Sequence, residues 1–139
     1  MILIPALILA AAFLVLSAIH FYWAAGGRRG LDGSIPTQDG VPLFSPGKML
    51  TLLVAAVLLG AASISLWRAG VPNIGPAWVP RTGAWVMAVA LAGRATGDFR
   101  YCGFFKRVRG TTFARNDTLI FSPLCAVLSA LAVCLSIAN

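Results

Sequence analysis

The sequence predicts an all-α polytopic membrane protein, four transmembrane helices in a bundle, and three observations carry that expectation. Hydrophobic residues make up 59% of the 139 and charged residues only 11%, with a mean hydropathy of +0.87, which is too apolar for an ordinary soluble domain. Four apolar segments each reach the ~20 residues that a bilayer crossing needs. Between and beside them the charges gather in two loops, as the topology signal of a membrane chain requires. The length then leaves room for a single membrane domain over 1–139, with helices expected at about 2–25, 47–69, 77–105 and 117–138.

The same numbers exclude several classes. The net charge of +7 comes from eleven Lys and Arg against four Asp and no Glu. Because most of the cations fall in loops 26–46 and 106–116, they read as topology and anionic-lipid contacts, and no nucleic acid partner is expected. Three cysteines without a CxxC and a single histidine make neither a zinc pattern nor a disulfide framework. Cys125 and Cys134 read as small packing residues in an apolar helix. No phosphate loop, GxSxG or HExxH is present, and Ser17, Ser122 and Cys102 lack a base partner nearby in sequence. No catalytic residue, metal or cofactor is therefore assigned.

The first segment lacks the positive region of a signal peptide and stays apolar past Leu16, so it reads as a retained span. It closes on His20, Tyr22 and Trp23 before Gly26, Gly27, Arg28 and Arg29, an aromatic-then-basic order typical of a membrane interface. Ser17, His20 and Ala24 share one helical face, so His20 is expected to point inward and to find a neighbouring carbonyl, or else to serve a ligand or proton. Pro36, Pro42 and Pro46 rule out a continuous helix in the next loop. Segment two carries charge only at its ends, in Lys48 and Arg68, and its Ala56, Gly60 and Ala61 predict a small-residue contact face. Gly70 and Pro72 stop it.

Segment three concentrates the functional expectation. From Arg81 to Arg94 is thirteen residues, or ~20 Å of helix, so Arg94 falls short of the far side of a ~30 Å hydrocarbon layer and must snorkel or be paired. Asp98 stands one turn on, with Tyr101 and Phe105 continuing that face, and an Arg94–Asp98 ion pair is the expected answer. Gly93 and Gly97 form a GxxxG that would admit another helix beside the charged stripe. In segment four, Asn116 or Asp117 is the expected N-cap, and Pro123 predicts a kink.

Four spans put the two basic loops on one side. The positive-inside rule makes that side cytoplasmic and both termini external, in a bacterial inner membrane. His20, Trp23, Asp98, Tyr101 and Asp117 would then lie near the cytoplasmic end with Arg94, and these six residues form the expected ligand-binding group. Arg94 would offer a planar donor fork to phosphate or carboxylate while Asp98 orients it. Arg100, Lys106, Arg107, Arg109 and Arg115, interleaved with Phe104, Phe105 and Phe113, are the expected lipid-headgroup contacts.

These residues also carry a family likeness. His20, Tyr22, Trp23, Gly26 and Gly27, then the string GRATGDFRYCGFFKRVRGTTFARND from Gly93 to Asp117, then Ser122, Pro123, Leu124 and Cys125 resemble a family of small bacterial multi-pass membrane proteins known as a domain of unknown function. The resemblance implies a four-helix membrane fold and supplies no activity. The functional expectation is thus a non-enzymatic membrane protein binding a small anionic ligand or lipid headgroup. Its rivals are a membrane enzyme or proton-coupled carrier using His20, Asp98 and Asp117, and an accessory subunit docked on a membrane-protein partner or a second copy.

Overall fold

The structure, a computed structural model, describes residues 2–72 and 74–138. Helix α1 spans Leu3–Ala24, and α2 spans Lys48–Arg68. Helix α3 spans Trp78–Thr96. A short α4, Thr112–Asn116, runs through a π-turn, Asp117–Phe121, into α5, Ser122–Ile137. The first loop holds a minimal antiparallel hairpin, β1 at Thr37–Gln38 and β2 at Val41–Pro42.

Three stretches are long and apolar enough to cross a membrane: Leu3–Ala24, Lys48–Arg68 and Thr112–Ile137. Helix α3, opened by Pro80 and Arg81 and closed by Arg94, is more polar than these. The outward faces are themselves apolar, with Leu3, Ile4, Leu7, Val15, Leu53, Val57 and Val127 all exposed. A soluble protein does not leave that much contiguous apolar surface in water, so these helices fit a membrane protein.

The helices associate chiefly as two pairs, α1 with α2 and α3 with α5. One core cluster joins the pairs: Leu9 and Phe13 from α1, Ala62 from α2, Ala84 and Ala88 from α3, Leu128 and Leu135 from α5. Small residues at these positions let backbones approach, and one hydroxyl crosses each pair. Ser17 donates to the Ala55 carbonyl at 2.8 Å, and Ser129 donates to the Ala88 carbonyl at 2.8 Å. Such bonds are worth roughly 0.6 kcal/mol each between helices in a bilayer, so they fix register more than they add stability.

Several expectations are corrected here. The contact face of α2 runs through Thr51, Ala55, Ala62 and Ser65, whereas Ala56 and Gly60 face outward. Helix α3 ends at Thr96 instead of continuing to 105, because Gly97 takes φ +88° and reverses the chain. The GxxxG therefore admits no helix. Gly93 faces open space, and a side chain at Gly97 would strike the backbone of Cys102 and Gly103. The last long helix begins at Thr112, capped by the Thr111 hydroxyl, which accepts from the Ala114 N–H at 3.1 Å. Neither Asn116 nor Asp117 is its cap. Cys125 is partly buried as a packing residue would be, but Cys134 is exposed.

Candidate functional site

The loops that follow α1 and α3 meet at one end of the molecule. The Tyr101 hydroxyl donates to Gln38 Oε1 at 2.6 Å, and Asn116 Nδ2 donates to the Gly33 carbonyl at 3.2 Å. Two polar constructions sit at this end.

The first is an ionic cluster centred on Asp117, whose side chain is wholly buried. Its Oδ1 accepts from Arg94 at 2.7 Å. Its Oδ2 accepts from the Gly103 N–H at 2.8 Å, Lys106 Nζ at 2.9 Å and the Ser122 hydroxyl at 3.1 Å. Lys106, only 3% exposed, donates also to the Gly103 carbonyl and to Thr118 Oγ1. A buried carboxylate with four donors, two of them cationic, meets the condition under which charge is tolerated away from water.

Local geometry explains the convergence. The π-turn carries Asp117 in its first residue, and its wider pitch lets the Ser122 N–H reach back five residues to the Asp117 carbonyl. Pro123, which has no N–H to give, follows at once. The kink expected at Pro123 thus takes the form of a π-turn just before it. On the other side, Gly103 at φ +86° lies so close to Thr96 and Gly97 that a β-carbon there would overlap backbone. That contact folds the loop 97–111 back onto the end of α3, and the Phe104 N–H closes it on the Ala95 carbonyl at 2.8 Å.

The expected Arg94–Asp98 pair does not form. Asp98 is exposed and its Oδ1 accepts from the backbone N–H groups of Arg100, Tyr101 and Cys102 at 3.0, 2.7 and 2.9 Å. Slight burial pushes against its charge, but those three donors hold its carboxyl below the usual carboxylate range. One turn of helical spacing pairs Arg94 with Asp98 only along a continuous helix, and α3 stops between the two residues. Nor do His20, Asp98 and Asp117, the residues of the enzyme or proton-carrier alternative, share partners: His20 bonds the Leu16 carbonyl, Asp98 the backbone of its own turn, and Asp117 the cationic cluster. Lys106 is enclosed and cannot touch headgroups, whereas Arg100, Arg107, Arg109 and Arg115 are exposed. Arg100 also stacks on the Tyr101 ring at 5.1 Å. Burial pushes the Cys102 thiol up, against the nearby Arg94 charge, so it is no ready nucleophile.

The second construction is a cavity of about 780 Å³ between the end of α1, the first loop and the π-turn. Leu16, Ile19 and Phe121 form its apolar side, and His20, Arg29, Ser34 and Asn116 its polar side. His20 Nδ1 lies 2.7 Å from the Leu16 carbonyl. A carbonyl can only accept, so Nδ1 carries a proton, and in the neutral tautomer that this bond selects Nε2 is the ring's acceptor. The ring meets Trp23 edge-on at 5.0 Å, and Trp23 Nε1 donates to the Arg29 carbonyl at 2.9 Å. Of the six expected ligand-binding residues, His20 and Trp23 line this cavity while Arg94 and Asp117 build the ionic cluster. Asp98 and Tyr101 order the loops. Arg29, Ser34 and Asn116 had no distinguishing local spacing, since only the folding of the first loop over the π-turn brings them to His20.

The match to known families runs through both constructions, covering residues 13–132. The chain belongs to the DUF3995 family, described as proteins of unknown function. The DUF3995 match bears out the resemblance read from the sequence, and it brings no activity with it. No curated protein and no solved structure matches the chain.

Proposed function

We propose that this DUF3995 protein spans the bacterial inner membrane four times, α3 being the fourth crossing, and holds an anionic lipid headgroup in the cavity beside His20. The supporting observation is the cavity's mixed lining, in which the apolar Leu16, Ile19 and Phe121 stand beside the polar His20, Arg29, Ser34 and Asn116. Its volume of about 780 Å³ lies in the range of small-molecule sites. Arg29 supplies charge for a phosphate, and Leu16, Ile19 and Phe121 suit the first carbons of an acyl chain. The exposed Arg100, Arg107, Arg109 and Arg115 surround that end with positive charge and draw anionic lipid to it, each worth ~1 kcal/mol near such a surface.

The ionic cluster then has a supporting part. It clamps the second basic loop against α5 so that Asn116 stands in the cavity wall. Arg94 is thereby moved from ligand contact, its expected role, to positioning. The test is native mass spectrometry of protein taken from nanodiscs of mixed composition. Retention of anionic lipid over phosphatidylcholine, reduced several-fold by Arg29→Ala, is the expected result. Equal retention of both lipids would overturn the reading.

A further inference from the structure

A second, smaller cavity of about 270 Å³ lies between α1, the first loop and α2. It shares His20, Trp23 and Ser34 with the larger one. Elsewhere its wall is mainly apolar, including Leu31, Ile35, Phe44, Leu50 and Val54. The partition between the two cavities therefore carries the polar groups of His20, Trp23 and Ser34.

The donors on that wall are largely spent. Trp23 Nε1–H goes to the Arg29 carbonyl, the Ser34 hydroxyl to the Gly30 carbonyl at 2.8 Å, and one Asn116 N–H to the Gly33 carbonyl. His20 Nδ1–H goes to Leu16. Left over are acceptors: His20 Nε2, the lone pairs of Ser34 Oγ, and Asn116 Oδ1. Uncommitted donors reach the larger cavity from the Arg29 guanidinium, the Tyr22 hydroxyl and the second Asn116 N–H.

A phosphate that satisfies Arg29 while its headgroup displaces water from these acceptors costs free energy unless the headgroup itself brings donors to them. An ammonium could donate, but this end of the chain already carries nine Lys and Arg, from Arg28 to Lys48 and from Arg94 to Arg115, against all four Asp. Neutral hydroxyls fit better. Resting on the lipid-binding reading above, we infer that the occupant is a phospholipid whose headgroup bears hydroxyls beyond its phosphodiester, of the phosphoglycerol class. The phosphate sits at Arg29, and the hydroxyls donate to His20 Nε2 and Ser34 Oγ at the partition. The acyl chains leave along the apolar walls.

The test compares phosphatidylglycerol with phosphatidylmethanol, which has the same charge and chains but no headgroup hydroxyl. Both are offered to the full chain in nanodiscs and read by native mass spectrometry. Wild type should retain phosphatidylglycerol about tenfold better, the worth of two ordinary hydrogen bonds. His20→Phe, which keeps a ring against Trp23, and Ser34→Ala should each lower that preference several-fold, the loss falling more on phosphatidylglycerol than on phosphatidylmethanol. Equal retention of the two anionic lipids by wild type overturns this inference and leaves the lipid reading standing. Loss of both to phosphatidylcholine overturns the lipid reading itself. Phosphatidylethanolamine matching phosphatidylglycerol would refute the hydroxyl assignment. Soluble glycerol 3-phosphate displacing the lipid at equal concentration would refute a membrane-borne ligand. The wild-type comparison needs no variant, so a misfolded substitution cannot rescue the idea.

Discussion

Asp117 and Arg94 show how a buried charge is resolved at the level of single residues. Asp117→Asn keeps the shape of the side chain but leaves Lys106, 2% exposed in its side chain, without a counter-charge. Removing one member of such a buried group costs about 3–5 kcal/mol. Arg94→Gln removes one charge-assisted bond from a side chain that is 36% exposed. Lys106 still answers the carboxylate, so that loss should be smaller, about 1–2 kcal/mol. Unfolding in increasing detergent denaturant should therefore rank the variants wild type, Arg94→Gln, Asp117→Asn, from most to least resistant. The reverse order would mean that Arg94 dominates the cluster.

Asp98 behaves differently, because its three partners are backbone amides of one exposed turn. Its carboxyl is held below the ordinary carboxylate range, slight burial notwithstanding. The stability it lends the turn is accordingly complete above that ordinary range and is lost as the pH falls through the depressed folded value. Hydrogen exchange at Arg100, Tyr101 and Cys102, compared with Asp98→Asn at each pH, should show protection at pH 7 that narrows toward pH 3. A difference that stayed constant with pH would assign the protection to something other than the carboxylate.

Among the elements, the loop from Gly97 to Thr111 matters most and was hardest to read. Apolar content and proline placement made the ends of α1 and α2 legible, and the interface aromatics located His20 and Trp23. What misled was continuity. The stretch from Ala77 to Phe105 has enough apolar residues to extend a helix, and nothing in its periodicity competes with that reading. The interruption comes from Gly97 and Gly103, each with positive φ, packed against one another's backbone. Glycine in GxxxG spacing signals close approach, but the spacing does not say whether helix or loop approaches. Once the helix ends, Asp98 belongs to the turn and Arg94 finds Asp117, twenty-three residues away. Gly103→Ala should therefore lower the melting temperature in detergent by several degrees, since a β-carbon at φ +86° meets backbone that cannot move aside. Gly93→Ala, facing open space, should leave it unchanged or raise it slightly. Equal effects at both positions would show that the loop does not fold back as described.

For the whole molecule, the hydrogen bonds from Tyr101 to Gln38 and from Asn116 to Gly33 place both basic loops at one end. Arg68 and Arg81 lie at the opposite end, with Arg68 donating to the Ala138 carbonyl. That asymmetry is the input to the positive-inside rule. It extends to α3, whose polarity keeps it out of the set of clearly membrane-crossing helices: a crossing is needed there for the two loops to share a side. Labelling settles the arrangement in a cysteine-free background, with Gly110→Cys in the second basic loop and Ile74→Cys in the turn between α2 and α3. Both positions are exposed. In intact spheroplasts a membrane-impermeant maleimide should modify Ile74→Cys alone, and Gly110→Cys should react only after permeabilisation. Labelling of both in intact cells would mean that α3 does not cross. Labelling of Gly110→Cys alone would invert the protein and move the His20 cavity to the outer leaflet, where the four exposed arginines would meet a different lipid population.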